Sequence, residues 1–205
     1  KADQFLLGAN YQINNSGLLL NTELFYRKLN NQIDYEEHAN MLYNPLIEGE
    51  LRFGTTYAQG LELMLLKNSG LLSGWLAYSF SKTVKTTKDI NSNEAYSPYF
   101  DRPNTLRAMV AYQISERFKV AITWIFQSGA PITTPTGFYT YNGYTIPIFD
   151  KRNNSRLPDY HRMDASIVYA LSNPTKRFNQ QLVLSVFNLY GHKNPFALSF
   201  NKIMD

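Results

Sequence analysis

Apolar and polar residues alternate with period two along much of this chain of 205 residues, while a helical period is hard to find. In the first run Phe5, Leu7, Ala9, Tyr11 and Ile13 share one face. Gly8, Asn10 and Gln12 share the other, with Leu6 among them. A second run sets Leu18, Leu20, Thr22, Leu24 and Tyr26 against Asn21, Glu23 and Arg27. A third sets Tyr57, Leu61, Leu63 and Leu65 against Gly60, Glu62 and Met64, and a fourth sets Leu72, Leu76, Tyr78 and Phe80 against Ser73, Ala77, Ser79 and Ser81. The fifth and sixth are cleaner: Leu106, Ala108, Val110, Tyr112 and Ile114, then Phe118, Val120, Ile122, Trp124 and Phe126. A seventh holds Met163, Ala165, Ile167, Tyr169 and Leu171; an eighth, over 180–190, is mixed. The expectation is an all-β chain of antiparallel strands. Their length matters, because globular strands are usually ~5–6 residues, whereas tilted strands of ~9–11 residues are what a hydrocarbon layer requires.

The connections sort by length. Residues 14–17, 67–70, 115–116 and 172–177 form short turns, whereas 38–49, 86–102 and 129–160 form long loops. Strict alternation of short and long is expected when one rim of a membrane barrel faces the periplasm and the other faces outside. With the short turns periplasmic, Tyr11, Tyr112, Phe118 and Tyr169 fall near that rim. Tyr26, Tyr78, Phe80, Trp124 and Phe126 fall near the other, as two interfacial girdles.

Composition agrees and excludes several alternatives. There are 15 Tyr, 13 Phe and 2 Trp, while charged residues reach only 18%, below the ~25% of soluble domains. Without cysteine there is neither a disulfide framework nor a thiolate metal site. The +4 net charge is scattered with no basic run, so nucleic acid is not an expected partner. No run of apolar residues is long enough for a membrane helix, and residues 1–12 carry no signal-peptide pattern, which points to a mature chain or a fragment.

Little chemistry is visible. His38, His161 and His192 lie in or beside different loops, and His161 and Asp164, three apart on a strand, point to opposite faces. Glu36-Glu37-His38 diverge for the same reason, so neither a catalytic residue, a cofactor nor a metal is expected. The best recognition candidate is Gly137–Tyr144. Its Tyr139, Tyr141, Asn142 and Tyr144 offer rings for stacking and an amide for hydrogen bonding, suited to sugars or aromatic siderophores.

Several motifs carry a resemblance. Gly54-Thr55-Thr56-Tyr57-Ala58-Gln59-Gly60-Leu61-Glu62-Leu63 looks like a strand in which glycine precedes Leu-Glu-Leu, and Ser79-Phe80-Ser81-Lys82 looks like a Tyr-Ser-X-Ser-Lys strand end. Phe100-Asp101-Arg102-Pro103-Asn104 is similar to Phe-Asp-Arg-Pro-His, with Asn104 in place of the usual His. Ser128-Gly129-Ala130-Pro131-Ile132-Thr133 and Arg156-Leu157-Pro158-Asp159-Tyr160-His161-Arg162-Met163-Asp164 follow in order, then Phe187-Asn188-Leu189-Tyr190 with Lys193-Asn194-Pro195.

Together these resemble the C-terminal β-barrel region of TonB-dependent outer-membrane receptors, especially the Bacteroidota type. The resemblance implies that residues 1–205 are part of a barrel domain of about 22 strands, near strands 14 to 21, with the plug, the TonB box and the last strand absent. It further implies uptake of a nutrient such as a siderophore or oligosaccharide, energised by TonB through the missing plug, in contact with outer-membrane lipid. A surface lipoprotein over the mouth is a further partner it leaves open. Gly60 is expected to mark a kink or bulge, and Arg102, Arg107, Arg162 and Asp164 to make lumen-side polar contacts. Two other readings stand beside it: a small free-standing outer-membrane barrel for adhesion or diffusion, and a soluble carbohydrate-binding β-sandwich.

Overall fold

All eight alternating runs form strands in the computed structural model, which describes residues 1–13, 16–37, 39–172, 178–196 and 198–200. Asn14, Asn15, His38, residues 173–177 and the terminal Ile203-Met204-Asp205 lie outside the described residues. The strands are β1 (Ala2–Ile13), β2 (Leu18–Tyr35), β3 (Leu51–Lys67), β4 (Leu72–Thr87), β5 (Asn104–Gln113) and β6 (Phe118–Gln127). After them come four short strands within one long connection: β7 (Pro131–Ile132), β8 (Gly137–Tyr141), β9 (Tyr144–Ile148) and β10 (Ser155–Arg156). The chain then returns as β11 (Tyr160–Ala170) and β12 (Gln181–Val186). The main sheet is an antiparallel meander ordered β1-β2-β3-β4-β5-β6-β11-β12, so each strand pairs with its neighbour in this order.

Register carries the alternation across the whole sheet. One ladder row joins Tyr11, Leu20, Leu65, Leu76, Ala108, Trp124 and Met163. A row on the opposite face joins Gly8, Glu23, Glu62, Ser79, Thr105, Gln127 and Tyr160. Because side chains alternate strictly, a slip of one residue in any pair would break both rows. Among the described residues nothing covers the apolar face: Leu7, Leu24, Val110 and Ile122 are all exposed. The polar face is not uniformly polar, since Leu19, Leu66, Trp75 and Met109 make one apolar row near the short turns.

Three strands extend well past the hydrocarbon layer into solvent, as the sequence leads one to expect of some of them. At about 3.3 Å per residue, the 18 residues of β2 extend on the order of 60 Å, roughly twice a hydrocarbon layer even before tilt. On β3 and β4 the apolar face ends where Leu61–Phe80 gives way to Gln59–Lys82, and the strands continue beyond. Above that level β2 carries a bulge between Leu29 and Gln32, with Asn31 at φ 56°. The extra residue inverts the alternation of β2, so Asp34 comes to the polar face and Ile33 to the other, opposite Phe53 of β3. The expected irregularity at Gly60 is absent, because Gly60 pairs in register with Phe25 and Ser81. Its reason is space: a Cβ there would meet the Phe80 carbonyl oxygen at 2.3 Å and the Phe25 ring at 2.7 Å.

The buried residues cluster at this upper end. The connection after β4, expected as a long loop over 86–102, folds back along β4, with Lys85 and Tyr96 bridging backbone to backbone. Ile90 is fully buried, and Thr87, Tyr96, Asn91 and Asp101 are buried beside it.

Candidate functional site

The four residues singled out for recognition come together on one hairpin. Strands β8 and β9 are joined by Asn142-Gly143, whose φ values of 48° and 80° are those of a tight two-residue turn. Such a turn needs positive φ at both positions, which asparagine tolerates and glycine adopts freely. Tyr141 pairs with Tyr144 and Tyr139 with Ile146, so the three tyrosines lie on one face of the hairpin with Asn142 at its tip. All three rings are exposed.

Below the hairpin is a stem held by many bonds. Strands β7 and β10 pair, and Leu157 donates its backbone N–H to the Ala130 carbonyl at 2.8 Å. Asn154 bonds Thr134 in both directions, Asn153 donates to the Ser97 carbonyl at 2.7 Å, and Lys151 pairs with Glu94 at 2.6 Å. That Lys151 bond holds the Glu94 carboxyl below its ordinary range. Thr136 donates its N–H to the Ile148 carbonyl at 2.8 Å, closing the hairpin at the top of the stem.

One hub ties the stem to the sheet. Arg152 donates to Asp34 Oδ1 at 2.9 Å and to the Tyr35 carbonyl at 2.9 Å. Lys85 donates to Asp34 Oδ2 at 2.8 Å and to the Ile33 carbonyl at 3.0 Å. The Tyr96 hydroxyl donates to the same carboxylate at 2.7 Å and lies 2.9 Å from Thr87 Oγ1. Burial alone would raise the Asp34 pKa, but hydrogen bonds from Lys85 and Tyr96 and the charges of Lys85 and Arg152 outweigh it and hold it low. Burial, aided by the nearby Asp34 charge, pushes the Tyr96 phenol up to about 12. These groups sit above the membrane-sized part of β2 and join three segments far apart in sequence. A second tie pairs Asp101, 2% exposed, with Arg156, while Thr83 donates its N–H to Asp101 at 2.9 Å. Glu37, Thr133, Phe149, Asp150, Lys151 and Arg152 line a cleft of about 360 Å³ beside the hub.

Of the residues expected to make lumen-side contacts, Arg162 pairs with Asp164 at 2.8 Å and Arg102 donates to the Tyr99 carbonyl at 3.0 Å. Arg107 projects from the polar face, exposed and with no ion pair among the described residues. Glu36 bonds Arg52, away from any metal-like grouping; His161 and Asp164 stand on opposite faces, as their spacing requires. His161 stacks on His192 with centroids 3.6 Å apart and bonds the Tyr190 hydroxyl at 2.8 Å. Asp34, Lys85, Tyr96 and Arg152 were not visible as a group in the sequence. Asp34 and Lys85 lie past the ends of the alternating runs, and Tyr96 and Arg152 lie in the long connections, so no local pattern joined them.

A profile of the family described as TonB dependent receptor-like, beta-barrel, matches residues 1–189. The chain belongs to this family. No curated protein matches it. Among solved structures it is similar to the ferric-catecholate import receptor Fiu from K12 E. coli in its closed form, with 16% identity and a TM-score of 0.61. The likeness covers 94% of this chain and 24% of that one, so the chain spans about a quarter of that receptor. At this identity the likeness establishes the fold: an all-β antiparallel wall of the TonB-dependent receptor barrel. The family is one of receptors and transporters.

Proposed function

We propose that this chain forms part of the wall and outer mouth of an outer-membrane receptor that takes up a scarce nutrient by TonB-dependent active transport. The observation that carries the reading is the face of mainly Leu, Ile, Val and aromatic side chains that runs through the sheet and is left exposed by the described residues. In lipid such a face is in its preferred solvent; in water it would be a large aggregating patch. Among the described residues, strands β1 and β12 are each hydrogen-bonded on one side only, and open edges in hydrocarbon cost several kcal/mol per unpaired group. Further strands therefore complete the barrel, whose lumen at about 22 strands needs a plug. The apolar row Leu19–Leu66–Trp75–Met109 on the bore side favours a packed internal body over an open water channel.

The tyrosine face of the β8–β9 hairpin is the ligand-contact surface in this reading, through Tyr139, Tyr141, Asn142 and Tyr144. Stacking suits a flat or ring-shaped cargo, and the catecholate import of Fiu makes an aromatic iron chelate the first ligand to try, with oligosaccharides second. The same reading includes the Bacteroidota type, a TonB contact through the plug, and a lipoprotein over the mouth. The test is to express the full-length gene product and follow it into membrane fractions. Recovery with the outer membrane, and accumulation of labelled cargo that stops when TonB is deleted, are the expected results. A full-length product recovered soluble without detergent would end the proposal.

A further inference from the structure

The apolar face is not evenly filled. Near its short-turn end Gly74 faces outward between Lys67 on β3 and Val110 on β5, with Ala108 two residues along. Gly74 has no room for a side chain, because a Cβ would lie 2.1 Å from the Met109 carbonyl oxygen. The small pair leaves a groove of about 280 Å³ whose walls are Leu18, Leu65, Leu72, Leu76 and Val110. It lies on β2 to β5, inside the sheet and away from both open edges, so its shape does not depend on strands beyond β1 or β12.

Lys67 also lines this groove, at the end nearest the short turns. It is half-buried on a face otherwise given over to hydrocarbon, and its ammonium donates to the Ser16 carbonyl at 2.9 Å. An ammonium has three donors, and among the described residues no carboxylate pairs with this one. A cation fixed at headgroup level over a leucine-walled trough matches a phosphate joined to an acyl chain.

We infer that Lys67 and the groove over Gly74 and Ala108 form a binding site for one glycerophospholipid of the leaflet at the short-turn rim. The phosphodiester meets the Lys67 ammonium, and one acyl chain lies in the trough. This rests on the membrane reading above. A bound lipid there would wedge the β2–β5 wall at the height of its turns, where Lys67 already bonds the Ser16 backbone.

The test uses the full-length protein in nanodiscs doped with photoactivatable phosphatidylglycerol or with diacylglycerol carrying the same label, followed by mass spectrometry of the crosslinked peptides. Crosslinks to the groove strands should favour phosphatidylglycerol, and Lys67→Gln should reduce that preference roughly five-fold, the value of one lysine at a membrane surface. Ala108→Phe, which fills the trough, should abolish both labels there, while Ile167→Phe, elsewhere on the same face, should leave them. Equal labelling by the two lipids, or labelling indifferent to Lys67→Gln, would mean ordinary annular lipid and overturn the site while leaving the membrane reading intact. Failure of the protein to enter nanodiscs at all would overturn both.

Discussion

Asp34 and Arg152 are 118 positions apart in sequence, yet they join at 2.9 Å to clamp the hairpin stem to the tallest strand of the wall. Lys85, only 8% exposed, shares the same carboxylate. Replacing Asp34 by Asn would strand Lys85 and Arg152 together without a counter-charge. Because the site is partly solvated, the loss should be roughly 1–3 kcal/mol of local stability rather than the full value of a buried pair. Hydrogen exchange should quicken in residues 88–97 and 149–156 and stay unchanged in β5 and β6; uniform quickening would contradict a local clamp.

The clamp should also respond to pH at both extremes. The folded Asp34 carboxyl lies below its usual 3.8, so its contribution is complete at neutral pH and disappears as pH falls through that lowered value. The Tyr96 phenol is raised from 10.0 to about 12, so the folded state favours the neutral ring and loses that advantage as pH climbs between those values. Phenolate absorbance of the native protein minus that of Tyr96→Phe should reveal one late-titrating tyrosine. A difference curve centred on the ordinary value would refute the assignment.

For the tyrosine face, Tyr139→Ala, Tyr141→Ala and Tyr144→Ala should each weaken cargo binding by about 3- to 10-fold, the worth of a ring contact. Circular dichroism should not change, since all three rings are exposed. Unaltered affinity in all three variants would remove the hairpin from the binding surface.

Gly143→Val imposes a β-branched residue on a position at φ 80°, at a cost of roughly 1–2 kcal/mol. Cargo affinity should fall with the distorted turn, while the stem bonds at Asn153 and Asn154 persist. Proteolysis should sharpen within 137–148 alone; new cleavage in the stem would argue against independent folding of the hairpin.

Facing is tested by adjacent residues. Ile122 belongs to the apolar row and Thr123 to the polar one. Ile122→Lys should destabilise the barrel in vesicles by about 2–4 kcal/mol, as lipid-facing lysines do near the midplane. Thr123→Lys should be tolerated. Urea unfolding of the two variants reads the difference, and equal effects would contradict the two-faced wall.

Much of this was legible beforehand. Period-two runs such as Leu106–Ile114 and Phe118–Phe126 named their own strands because lipid on one side and polar groups on the other leave no other solution. The turn residues between them told which neighbours pair. That some strands run on past the bilayer was legible, but the facing of the upper halves of β2, β3 and β4 was not, because there both faces meet water or folded loop and the alternation loses its cause. For the same reason 86–102 read only as a long loop, although Ile90 is fully buried. The tyrosines could be picked out as a local cluster, whereas their anchor at Asp34 could not: it depends on one extra residue near Asn31 and on partners from two distant loops.

That extra residue has a further effect. Everything beneath it obeys one phase and everything above obeys the opposite phase, so the strand behaves as two independently written words spliced at a joint. Insertions, deletions or whole loop exchanges above the joint can re-aim the recognition surface without disturbing a single pairing in the membrane. In the proposed receptor, the cargo can then change while the wall stays the same.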